Sequence, residues 1–132
     1  MESLTDIKNR SDIKIIIDAF YEKVKLDDTI GFIFNEIAKV NWKDHLPIMY
    51  DFWEATVLGT IVYTRNAMAP HFKLNEKVKL TSHHFDRWLK LFIETIDSLF
   101  AGVNAEEMKR RGKNIAALML YKMGDENKLG LV

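Results

Sequence analysis

The chain has 132 residues, fewer than the roughly 150 of an average domain, so one compact domain spanning 1–132 is expected. Its 19 Lys and Arg balance 19 Asp and Glu, which excludes the basic footprint of a dedicated nucleic-acid binder. With no cysteine, disulfides, thiolate nucleophiles and cysteine-held zinc or iron–sulfur centres are excluded as well. A composition 48% hydrophobic and 29% charged is that of a globular chain able to bury a core. The opening residues MESLTDIKNRSD are too polar for a signal peptide, and no apolar run reaches the roughly 20 residues that span a bilayer. A soluble cytoplasmic protein is expected, with neither membrane nor nucleic acid as partner.

Only two prolines and six glycines interrupt the chain, and its apolar residues recur at three- and four-residue spacing, the mark of an all-α fold. A first helix is expected from Ser11 as N-cap, with Ile13, Ile16, Ile17, Phe20, Tyr21 and Val24 on one face. After Asp27, Asp28 and Thr29, a short helical piece around Gly31 carries Ile30, Phe32, Ile33 and Phe34. A second helix presents Trp42, His45, Leu46, Met49, Phe52 and Trp53 on one side and ends before Gly59. Asn41 or Asp44 can cap it, and Pro47 favours the later start, where its missing N–H falls in the first turn. Residues 60–80 keep no period and read as a loop with at most a short helix. A strong stripe from Thr81 or Ser82 follows, with Phe85, Trp88, Leu89, Phe92, Ile96, Leu99 and Phe100 on it and Gly102 beyond its end. The last helix should open at Asn104, with Glu107 completing a capping box, and stop at Gly124. Residues 1–10 and 125–132 are expected as flexible extensions of a core covering about 11–123.

Without cysteine, histidine is the candidate metal ligand. His83 and His84 fall in a first helical turn, where exposure or capping explains them. His45 lies on an apolar stripe, where a satisfied boundary histidine is the ordinary reading, and His71 after Pro70 says little by itself. Tyr21 and Trp88 lie on buried stripes, where packing with one polar atom to satisfy is the default. Spacing excludes a Glu-x-x-His di-iron bundle, a His-Glu-x-x-His zinc protease and a phosphate loop around Gly112. The basic run Lys109, Arg110, Arg111 and Lys113 stands beside Glu106 and Glu107 and reads as a solvated helix face.

The combination is more specific than its parts. In order, FYEKV around Tyr21, IGFIF ending at Phe34, WKDHLPIMYDFWE from Trp42, Y-x-x-N-x-M-x-x-H from Tyr63 to His71, and HFDRWLKLF from His84 resemble the truncated haemoglobins. The resemblance is to their third group in particular and covers about residues 11–123; the chain also lacks the Gly-Gly signature of the first two groups. It implies a globin-like two-over-two helical sandwich holding haem b non-covalently, with His71 as the proximal ligand to iron. It places Tyr21, His45 and Trp88 on the distal, ligand-stabilising side, and Phe34, Met49, Phe52 and Trp53 against the porphyrin. Arg65 and Ala67 stand where the family often has glycine and proline in the proximal loop, and Arg65 and Lys73 are candidates for the propionates.

The function implied is reversible binding of O2, NO and CO, serving NO- and O2-related redox chemistry or detoxification. Turnover of a nitric oxide dioxygenase-like or peroxidase-like kind would need an external reductant or reductase. A ligand-binding or sensing module without turnover is the alternative. A monomer or weak dimer is expected. Residue chemistry agrees with this reading: a large apolar disc needs an aromatic slot and a neutral imidazole. A phenol hydroxyl and an indole N–H are donors suited to a ligand on which charge develops. His45 is a further donor or a swinging gate.

Overall fold

In the computed structural model, residues 3–37, 41–59 and 81–128 are described. They form helix α1 (Arg10–Leu26), a π-helical turn (Ile33–Ile37), α2 (Trp42–Leu58), α3 (Ser82–Leu99) and α4 (Val103–Lys128). Helix α1 packs on α2 and α3, and α4 packs on α3 and α2, so the pair α1/α2 lies over the pair α3/α4. The arrangement follows from the stripes: Ile13, Ile16, Ile17, Phe20, Tyr21 and Val24 of α1 are all buried, as are Phe85, Phe92 and Ile96 of α3; Trp88, Leu89 and Leu99 are half-buried, and the buried face shifts to take in Leu91 and Thr95. Helix α4 comes close to α3 through Gly112, where a Cβ would lie 2.7 Å from the Phe92 ring. Among the described residues no helix is long and apolar enough to cross a membrane.

The helix ends depart from the sequence reading in ways that have physical causes. Helix α1 starts at Arg10, capped by Asn9 in place of Ser11. The Asn9 side chain accepts the Asp12 N–H at 3.1 Å while the Asp12 side chain accepts the Lys8 N–H at 2.9 Å, so two backbone donors at the helix entry are satisfied with Asn9 as the cap. Helix α2 starts at Trp42, and Pro47 falls in its second turn. The Asn41 carbonyl accepts from Asp44 and His45 at 3.1 and 2.8 Å, which begins the helix early; Pro47 leaves a gap only on the side of exposed Lys43. Gly59, at φ +77°, closes α2 as expected.

Helix α4 begins at Val103, one residue before the expected start. Its free N–H groups are taken from outside: Asp6 accepts from Asn104 and Ala105, each at 2.9 Å. Ala101 donates to the Thr5 carbonyl at 3.0 Å, and the Asn104 amide donates to the Ile7 carbonyl at 2.8 Å. Ile7, 1% exposed, joins the core although the sequence places it in an extension. Glu107 makes no cap and pairs instead with Arg110 and Arg111 at 2.6 and 2.8 Å. At the other end α4 continues past Gly124 to Lys128: one glycine costs a helix only about 1 kcal/mol, too little to stop it alone.

Candidate functional site

Between the two helix pairs lies a gap of about 860 Å³, its open mouth included. Tyr21 lines it from α1; Ile30, Ile33 and Phe34 from the turn that follows; and His45, Met49, Phe52 and Trp53 from α2. His84, Phe85 and Trp88 line it from α3, and Ile115, Ala116 and Met119 from α4. The structure thus brings Tyr21, Phe34, His45, Met49, Phe52, Trp53 and Trp88 to one place. His71 lies outside the described residues, as do Tyr63, Arg65, Asn66, Ala67, Met68 and Lys73 of the same loop. Sequence reasoning did not single out Ile30, Ile33, Ile115 and Met119 for the gap, although their place on apolar stripes was a usable signal.

The rings divide into two groups. Tyr21 meets Phe34, Trp42 and His45 at centroid distances of 6.1, 5.1 and 5.4 Å. Trp42 also meets Phe34 at 6.0 Å and His45 at 5.7 Å. On the other side Trp88 stacks on Phe92 at 5.1 Å and 11°, and Phe92 meets Trp53 at 4.8 Å. Phe20 stands between the groups, 4.8 Å from Tyr21 and 5.5 Å from Trp88.

Electrostatics fix several of these parts. Burial of Tyr21 pushes its phenol pKa well above the ordinary value, so the hydroxyl keeps its proton at neutral pH. Asp27 organises the turn that carries Ile30 and Phe34. One oxygen accepts from Thr29 and Ile30 N–H at 3.0 and 3.1 Å; the other accepts from Arg87 Nε at 2.7 Å. Burial pushes this carboxyl up, but Arg87 and the two backbone donors outweigh it and hold the pKa below the usual carboxylate value. The same pair ties the end of α1 to α3 one residue before Trp88. His84 fulfils the capping role expected of it: its Nδ1 accepts the Thr81 N–H at 3.1 Å, which places the proton of the neutral ring on Nε2. Burial, and then the neighbouring His83, push its pKa down and favour that neutral form.

The walls fit a flat macrocycle. Aromatic and aliphatic side chains face the gap from all four helices, and among the described residues that line it polar side-chain atoms come from Tyr21, His45, His84 and Trp88. An all-helical two-over-two sandwich around such a gap is a globin fold. The sequence profile of the bacterial-like globins matches residues 6–121. A group 3 truncated haemoglobin, ctb, of Campylobacter jejuni subsp. jejuni serotype O:2 is 32% identical over 126 residues, covering 88% of this chain and 94% of that protein. The crystal structure of a group III truncated haemoglobin from Campylobacter jejuni superposes with a TM-score of 0.78 at 26% identity, covering 92% of this chain and 95% of the other. The chain belongs to the bacterial-like globins and, among them, to the third group of truncated haemoglobins.

Proposed function

We propose that the chain binds haem b non-covalently between its helix pairs, with His71 as the proximal ligand to iron, and that O2, NO or CO is held on the side of Tyr21, His45 and Trp88. One observation carries this reading: a gap walled by Phe34, Phe52, Trp53 and Phe85 also gathers a phenol, an imidazole and an indole. Membership of a globin family supports it. Haem, when bound, supplies an iron centre that takes diatomic gases and exchanges electrons.

The chain's own groups do the rest. Phe34, Met49, Phe52 and Trp53 would cover the flat faces of the disc and keep water out. Tyr21, kept protonated by burial, donates from its hydroxyl. The Trp88 indole is a donor only, and its stack on Phe92 fixes the direction of that N–H. His45 adds a donor from whichever ring nitrogen carries the proton. A hydrogen bond to a charged group is worth about 1.5–3 kcal/mol, which slows ligand release by about one to two decades per bond. Three such donors suit retention and redox chemistry better than delivery, so we assign a role in NO and O2 chemistry or peroxide detoxification, driven by an external reductant in the cytoplasm.

The visible spectrum of the purified protein supplied with haem tests the proposal. The wild type should show an intense porphyrin band that His71→Ala loses; a retained band with unchanged coordination in that variant overturns the proximal assignment. Reduced, air-equilibrated protein mixed with nitric oxide should oxidise and release nitrate. If it does neither, the reading without turnover, as a binding or sensing module, replaces the enzymatic one.

A further inference from the structure

Trp42 is the first residue of α2, half-buried, and is in ring contact with both Tyr21 and His45. Tyr21 and His45 also touch each other, so the three rings form a closed triangle, with Phe34 packed on two of its members. Neither donor can swing without moving against the indole. The indole is itself held: Lys25 Nζ lies over its ring at 4.9 Å, and Glu22 holds that ammonium at 2.9 Å. The Lys25 carbonyl meanwhile accepts from the Asn35 amide at 3.0 Å, which ties the lysine's backbone to the turn carrying Phe34.

Building on the haem-binding reading above, we propose that Trp42 is the positioning residue of the distal pair. It keeps Tyr21 and His45 turned toward the gap, and Lys25 is the latch that keeps Trp42 over them. Trp42 touches no ligand in this role. It sets how often His45 leaves the gap, and therefore how fast a small ligand enters and how uniform its surroundings are once inside. Trp88, packed on Phe92 and Phe20, stands outside this triangle and is linked to it through Phe20, which also touches Tyr21.

The test uses haem-loaded wild type, Trp42→Ala, Trp42→Phe and Lys25→Met, with CO as the probe. Association after photolysis should be about tenfold faster in Trp42→Ala, the consequence of losing two aromatic contacts. In the infrared, its C–O stretching band should split or broaden. Trp42→Phe, which keeps a ring face for Lys25, should restore one narrow band. Lys25→Met should speed entry about two- to fivefold, the worth of an exposed cation–π contact, and abolish the salt dependence of the wild-type rate. A single unshifted band and an unchanged rate in Trp42→Ala, with only its melting temperature lowered, overturn the proposal. Should that variant not fold, a Lys25→Met protein with wild-type rate and salt dependence overturns it alone. A wild type that takes up no haem refutes the functional reading and this proposal together, whereas a normal wild-type band with indifferent variants refutes this proposal only.

Discussion

The two walls of the gap are built differently. On the α1/α2 side, Tyr21, Phe34, Trp42 and His45 touch one another ring to ring, and all but Tyr21 are only half-buried. On the α3/α4 side, Trp88 lies flat on Phe92, which is fully buried among Phe20, Trp53 and the close approach of Gly112. In the first wall buried Tyr21 is ringed by half-buried neighbours that touch one another; in the second, half-buried Trp88 rests on a ring of the core. On the proposal above, the donors that the resemblance groups as one distal set are of two mechanical kinds: Tyr21 and His45 are aimed by their ring neighbours, while Trp88 is held by its stack on Phe92.

Removing the packing should break this contrast most severely. Phe92→Ala empties a fully buried site and should cost about 3–5 kcal/mol in urea unfolding, because Trp88, Phe20 and Trp53 all lose a partner. A cost below about 1 kcal/mol would mean the second wall collapses as easily as the first. Next comes the tie between them. Asp27→Asn weakens the contact with Arg87 and should cost about 1–3 kcal/mol, measured in the same way. Smaller again, and confined to the first wall, is Tyr21→Phe, which keeps the ring and removes the donor; O2 should then leave about tenfold faster. In stopped-flow double-mutant cycles Tyr21 should couple more strongly to His45, with which it is in contact, than to Trp88, from which Phe20 separates it.

Much of this was legible in the sequence because burial in a helix repeats every three or four residues. The α1 stripe from Ile13 to Val24 and the α3 stripe through Phe85, Phe92 and Ile96 are buried as the periodicity predicts. Tyr21, His45 and Trp88 each ride on a helical stripe, but it was the resemblance to the truncated haemoglobins, not the period, that grouped them. What could not be read are contacts between groups far apart in the chain. Asp6 caps a helix 98 residues away, and Asp27 meets Arg87 across 60. Trp42 was visible as one more apolar position of α2; its place among Tyr21, Phe34 and His45 depends on how rings turn after the helices have packed. The cap at Asn9 was chosen over Ser11 by Asp12, a preference that residue type alone does not express.

The smallest expected effect sharpens the contrast from outside the gap. Asp6 holds the start of α4, the helix that brings Ile115 and Met119 to the second wall, and it does so as a carboxylate using both oxygens. Burial pushes its pKa up, but N–H groups of Asn104, Ala105, Ile7 and Val103 outweigh that and hold it below the usual value. A folded-state pKa below the unfolded one, about 3.9, means the stabilisation is fully present above that pH and is lost as pH falls through the folded value. Asp6→Asn should therefore cost about 1 kcal/mol near neutrality. Wild type and variant should converge below about pH 3.9, in parallel urea titrations at several pH values. Because α4 rests on core packing and not on the ring cluster, ligand rates in this variant should stay within about twofold of wild type, since contacts this far apart are additive. A larger change would show that the second wall transmits strain to the donors, and the separation into one adjustable and one fixed wall would fail.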